Sequence, residues 1–151
     1  MKFIQGNLLE IIESGMFDVV VHGCNCFCNM GGGIAFYLKA KYPEILAIDK
    51  KTSCGDRGKL GSYSAVTLQN NVIVLNAYTQ YHWKGSDVLV DYSALRKVFR
   101  KIKSDFSGKR IVYPKIGAGL ANGDWRVIEK IILEELFGES HTCVLYKEGT
   151  E

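Results

Sequence analysis

The sequence predicts a single α/β domain built on a largely parallel, buried sheet, and three observations carry that expectation. Short β-branched or aromatic runs alternate with segments of helical apolar spacing along the chain, the order that gives parallel strands joined by crossover helices. One run, FDVVVH at 17–22, holds three consecutive valines, as a strand covered on both faces requires. Two glycine-rich segments, GGG at 31–33 and GAGLANG at 117–123, each follow a predicted strand, which is where open α/β sheets bind ligands.

The elements follow in order. KFIQ (2–5) reads as a strand, and NLLEIIESG (7–15) as a short helix that Asn7 can cap and Gly15 can stop. FDVVVH is the second strand. Beyond the glycines, IAFYLKAKY (34–42) sets Ile34, Leu38 and Tyr42 at helical spacing, and Pro43 opens a second helical piece, PEILAIDKK. SYSAVTLQ (62–69) and VIVLNAY (72–78) read as strands joined by a tight turn at Asn70 and Asn71. Leu95, Val98, Phe99, Ile102 and Phe106 form an apolar stripe, so 92–106 is an amphipathic helix whose basic residues make a solvated face. RIVYP (110–114) is a strand. A helix with Ile128, Ile131, Ile132 and Leu136 inward follows, and TCVLYK (142–147) closes the chain as the last strand.

A chain of 151 residues is long enough to bury a core without staples. With 47% hydrophobic and 23% charged residues it is globular by composition. Nineteen basic and 16 acidic residues leave a formal charge of +3, too weak a bias to predict a nucleic-acid partner but suited to a small anionic ligand. No apolar run reaches the roughly 20 residues of a membrane span. The N-terminal apolar stretch is broken by Gln5, Asn7 and Glu10, unlike a secretory signal. Five cysteines, an odd number, point to a reducing cytoplasm and to free thiols.

The stretch HGCNCFCNMGGGIAF (22–36) raises two chemistries. Structural zinc sites pair cysteines as C-x2-4-C with a second pair at a distance. Here Cys24, Cys26 and Cys28 are spaced C-x-C-x-C, and Cys54 and Cys143 have no partner at ligand spacing. The expectation is small, semi-buried thiols with no metal, and without C-x-x-C no redox motif. The glycines fit neither a P-loop nor a GxGxxG dinucleotide fingerprint. What remains is bare backbone N–H groups at a helix N-terminus, a site for an anion; a merely flexible turn is the alternative. The second loop, IGAGLANGDW (116–125), weighs against that alternative, because two such loops can clasp a diphosphate from both sides.

With both loops in hand, the chain resembles the macro domain family, whose members bind ADP-ribose, over nearly its whole length. The resemblance implies a three-layer α/β/α macro domain over 1–151, with a mixed, largely parallel central sheet. QGNLLE (5–10) resembles the family's opening motif, which implies that Asn7, flanked by Gly6 and Leu8, reads the adenine amino group. VVHGCNCFCNMGGGIA (20–35) resembles the NAAN-then-GGG stretch. That match implies Gly23 and Cys24 at the ligand, Asn25 on the distal ribose, and Met30, Gly31, Gly32, Gly33, Ile34 and Ala35 around the diphosphate. YPKIGAGLANGDW (113–125) resembles the second phosphate loop, carried by Ile116, Gly117, Ala118, Gly119, Leu120 and Ala121. Tyr78 and Thr79, at a strand end, are expected near the distal ribose.

Within the family, HGCNC followed by GGGIA is most similar to the yeast-type ADP-ribose 1''-phosphate phosphatases and their viral relatives. A neighbouring branch removes ADP-ribose from macromolecules with a lysine ending an (L/F)-x-T-K motif and, in some members, an aspartate in the second loop. Here NAYTQ places Gln80 at the lysine position and GLAN places Ala121 at the aspartate position, and a glutamine cannot form a covalent lysine adduct.

The resemblance therefore implies a metal-independent, cofactor-free monoesterase, monomeric and cytoplasmic. Its small-molecule partner would be ADP-ribose or ADP-ribose 1''-phosphate, a by-product of tRNA splicing, and its role either splicing clean-up or NAD-derived signalling. His22, Asn25 and Asp124 are the catalytic candidates. His22 titrates near neutrality and suits a general acid or base, or is a strand-end histidine satisfied by a carbonyl. Asp124 also suits the N-cap of the helix starting near Trp125, which is the favoured reading. His82 and Trp83 lie on a polar loop that either covers the site or is plain surface; Trp125 reads as core. A non-catalytic ADP-ribose reader and a glycohydrolase remain the competing functions.

Overall fold

A computed structural model of the chain describes residues 1–146. Its elements run β1 (Lys2–Gly6), α1 (Leu8–Ser14), β2 (Val19–Cys24), α2 (Gly33–Lys41), α3 (Pro43–Asp49), a short 3-10 turn (Arg57–Lys59), β3 (Tyr63–Thr67), β4 (Ile73–Tyr78), α4 (Tyr92–Phe106), β5 (Ile111–Pro114), α5 (Trp125–Glu135) and β6 (His141–Tyr146). Each helix and strand expected from the sequence is present; Lys147, the last residue of the expected closing strand, lies outside the described residues.

The six strands form one sheet in the order β1-β6-β5-β2-β4-β3. All neighbours are parallel except β3 and β4, which close a hairpin through a turn where Asn71 takes φ 71°. Asparagine accepts that left-handed backbone because its short polar side chain tolerates it. Helices α1, α2 and α3 pack on one face of the sheet, and α4 and α5 on the other. The result is a three-layer α/β/α sandwich.

Local chemistry explains the main elements. Val19, Val20 and Val21 of β2 are fully buried, the first and third against α4 and α5, the second against α1, α2 and α3. Such a strand belongs at the centre of a two-sided sheet, and each buried valine contributes roughly 1.5–3 kcal/mol of hydrophobic stabilisation. Asn7 caps α1 by accepting from the Leu9 N–H at 2.8 Å, and Gly15 at φ 70° ends it. The basic face of α4 is more than solvated: Arg96 and Arg100 form ion pairs with Glu134 and Glu135 of α5.

Because β2, β4 and β5 are parallel, their carboxyl ends share one edge of the sheet, and the loops that follow them converge there. Two expectations about the cysteines meet different outcomes. Cys24, Cys26 and Cys143 are free and buried. Cys28 and Cys54, expected as free thiols, are joined in a disulfide across a Cα–Cα distance of 5.6 Å. The sequence hid this pair because α2 and α3 lie between its halves and return the chain onto the glycine-rich loop. There the Gly55 N–H donates to the Cys26 carbonyl at 2.6 Å. Among the described residues no helix is long and apolar enough to cross a membrane.

Candidate functional site

Two grooves open along that sheet edge and meet at Ile34 and Pro114. The larger, about 680 Å³, lies between the loop after β2 and the loop after β5. It is lined by Gly23, Cys24, Asn25, Gly31, Gly32, Gly33, Ile34 and Ala35 from the first side, and by Ile116, Gly117, Gly119, Leu120 and Ala121 from the second. The smaller, about 530 Å³, is lined by Gly6, Asn7, Leu8, Leu9, Tyr37, Val144 and Tyr146 in addition to the two shared residues. Together they make one long trough with a mostly apolar end and an end walled by glycine backbone.

The glycine wall is built from the inside. Asn25 folds its own loop: its Nδ2 donates to the Asn29 carbonyl at 2.7 Å, and its Oδ1 accepts from the Phe27 N–H at 2.8 Å. Asn29 Oδ1 in turn accepts the Gly31 N–H at 2.9 Å. Helix α2 then starts from Gly32 with no side-chain cap, so its first-turn N–H groups are unsatisfied within the helix and carry the positive end of its dipole. Gly33 stands at φ 60°, and Leu120 from the opposite loop reaches within 3.1 Å of where a Cβ on Gly32 would sit. A side chain at either position would close the gap between the two loops. On the far side Gly117, at φ 76°, accepts the Gly123 N–H on its carbonyl at 2.7 Å, which folds the second loop back on itself.

Several candidates fall elsewhere. His22 is fully buried on the α2 and α3 face of β2, with Nε2 2.5 Å from Asn76 Oδ1. The Asn76 amide donates to the Ile45 carbonyl and to Ser64 Oγ, so Asn76 Oδ1 is an acceptor and His22 must carry its proton on Nε2. Burial holds the imidazole neutral, with its pKa lowered to about 4 despite the Asn76 bond. His22 is therefore corrected from a general acid or base at the ligand to a satisfied core histidine; the partner is the side-chain amide oxygen of Asn76 rather than a backbone carbonyl. Asp124 is the N-cap of α5, accepting the Arg126 N–H at 2.9 Å, and does not line the trough. Tyr78 is likewise buried, donating its hydroxyl to Asp49 Oδ1 at 2.6 Å. Thr79 is fully buried, and among the described residues its hydroxyl has no hydrogen-bond partner. Met30 is buried in the core under α1, α2 and α3, and Ala118 packs from its loop against the core on the α4 and α5 side. Each of these side chains packs into the interior or closes a cap instead of lining the trough.

The structure also brings in residues that the sequence reading did not place there. Asn29, Pro114 and Lys115 are such residues and line the larger groove; Gln80 and Trp83, which the sequence had singled out, line it with them. Trp83 stacks on His82 at 4.2 Å between ring centroids and packs edge-on against Phe27, so the polar loop after β4 does wall the site. Asn29 had a readable signal in its position beside the glycines. Tyr37 and Tyr146 had none, since only sheet pairing and helix packing bring α2 and β6 to one groove. Among the described residues no three His, Cys, Asp or Glu side chains converge as a metal site.

No protein-family profile matches the chain. It is 37% identical over 139 residues to an uncharacterized 17.5 kDa protein of Enterobacteria phage T4, covering 87% of this chain and 86% of that protein. It is 28% identical over 117 residues to a DNA ADP-ribosyl glycohydrolase of Mycobacterium bovis, a match spanning 75% of this chain and 33% of that enzyme. An ADP-ribose 1''-phosphate phosphatase of Saccharomyces cerevisiae is 24% identical, over 91% of this chain and 93% of the enzyme. The solved macrodomain of Thermus aquaticus DarG has a TM-score of 0.76 at 23% identity, over 97% of both chains. Thermosipho africanus DarTG in complex with ADP-ribose has a TM-score of 0.69 at 16% identity, over all of this chain and 43% of that one.

Proposed function

From the premise that this chain is a macro domain protein of the same family as the phage T4 17.5 kDa protein, we propose that its trough binds ADP-ribose derivatives and hydrolyses ADP-ribose 1''-phosphate to ADP-ribose and phosphate. The observation that carries the reading is the joined pair of grooves, one end apolar and the other walled by glycine amides. An adenine fits the apolar end at Asn7 and Tyr37, with Asn7 retaining its Nδ2 donors because only its Oδ1 is used in the cap. The diphosphate lies along Gly31, Gly32 and Gly33 and against the loop of Gly117, Gly119 and Leu120. The distal ribose then reaches Gly23, Asn25 and Gln80.

The mechanism rests on positioning and electrostatics rather than on a side-chain base. Phosphoryl transfer from a monoester has a loose transition state with charge spread over the equatorial oxygens, so aimed N–H donors and a held water supply most of what catalysis needs. Gln80 lies where the lysine-dependent branch has its lysine, and it cannot form an imine with a ribose. That speaks for phosphate release over glycoside cleavage.

One observation favours a second reading. Among the described residues no His, Asp or Glu lines the larger groove, which also suits a non-catalytic ADP-ribose reader. Incubation with ADP-ribose 1''-phosphate decides between them: the expected result is equal amounts of free phosphate and ADP-ribose, abolished by Asn25→Ala. Tight binding without phosphate release leaves the reader. Release of ADP-ribose from modified DNA, with none of the phosphatase reaction, moves the chain to the glycohydrolases.

A further inference from the structure

We infer that Cys28 and Cys54 form a reversible thiol–disulfide site that sets how firmly the glycine-rich loop is held at the trough. Cys28 lies within the loop that Asn25 and Asn29 organise, three residues before Gly31, and takes the left-handed backbone at φ 58°, which side chains resist. Its bond to Cys54 ties that loop to segment 51–56. The same segment supports the loop from behind. The Gly55 N–H donates to the Cys26 carbonyl, and the Gly55 carbonyl accepts from the Tyr81 hydroxyl at 2.9 Å. The disulfide is thus the covalent part of a brace whose other members are hydrogen bonds.

The pair is built for exchange. Cys54 is exposed while Cys28 is half-buried, so a small thiolate attacks Cys54 Sγ. The buried Lys59 Nζ lies 3.8 Å from Cys28 Sγ, and a cation beside a sulfur stabilises the departing thiolate. The S–S bond breaks with its electron pair on Cys28, leaving a mixed disulfide on Cys54. A second small thiolate attacks the small-molecule sulfur of that mixed disulfide and frees the Cys54 thiolate. In sum two small thiols become one small disulfide and the protein disulfide becomes two thiols; a glutathione-type disulfide reverses the process. Exchange is confined to this pair, because Cys24, Cys26 and Cys143 are buried.

The regulatory consequence rests on the proposed ADP-ribose binding, but the site itself does not. The test equilibrates the full chain in defined ratios of reduced and oxidised glutathione. It reads thiol alkylation by mass, amide hydrogen exchange over 25–33, and ADP-ribose affinity by calorimetry. One two-thiol transition at residues 28 and 54 is expected, with faster exchange in the reduced form and affinity about tenfold weaker, since the ligand must then order the loop itself. Cys54→Ser should match the reduced wild type in both buffers. Alkylation of both residues that oxidised glutathione does not suppress overturns the site. Unchanged hydrogen exchange on reduction overturns the brace. If ADP-ribose binds in neither state, the functional reading fails while alkylation and exchange still decide the inference.

Discussion

The trough and the polar layer alongside it share β2 and β4, yet they use those strands in opposite ways. On the trough side the working groups are backbone N–H donors at Gly32, Gly33 and Gly117, while the Gly31 N–H is held by Asn29 Oδ1. On the α2 and α3 side a directed chain of side chains runs from His22 to Asn76, Ser64, Tyr78 and Asp49, with Lys59 beside the carboxylate. Each member donates to the next, so the layer is internally satisfied. Burial pushes the Asp49 carboxyl up, while the Tyr78 bond and Lys59 pull it back. The residues with the richest titration chemistry therefore hold the floor together, and the residues with no side chain at all face the ligand. Titratable residue types near a strand end are a poor guide to catalysis when packing beneath that end can bury them.

Experiments that separate the two regions can be ranked by expected effect. Asp49→Ala leaves Lys59 buried against no carboxylate and should cost about 3–5 kcal/mol, measured by urea unfolding; a loss below about 1 kcal/mol would mean the layer is solvated. The acid response comes next. His22 and His141 are both lowered by burial from 6.5 to about 4, so between those values the unfolded chain binds protons that the folded chain refuses. Stability is then complete above pH 6.5 and falls by a few kcal/mol, to order of magnitude, as pH drops towards 4. A flat denaturation midpoint from pH 7 to 4 would contradict this.

On the trough side, Gly33→Val meets both a left-handed backbone and Leu120. It should weaken ADP-ribose binding at least about tenfold by calorimetry while costing roughly 1–2 kcal/mol of stability; equal affinity would show that this wall is not the binding surface. Asp124→Ala should lose about 1 kcal/mol from the α5 cap and leave phosphate release unchanged. The smallest effect belongs to His22→Gln, which retains a donor for Asn76. It should change turnover by no more than about twofold, and abolished turnover in a folded variant would return His22 to the mechanism.

The sequence by itself determined the strands, the helices and the two glycine loops. Each depends on neighbours within a few residues: the valine run of β2, the Asn7 cap, the stripe of α4, the missing side chains at 31–33. Parallel order then forced both loops to one edge. Tertiary structure alone decided the rest. It chose which face His22, Tyr78 and Thr79 present. It also brought Tyr37 and Tyr146 to the same groove and joined Cys28 to Cys54 across α2 and α3. Those outcomes turn on pairing and packing between segments far apart in the chain, which no local run of residues encodes.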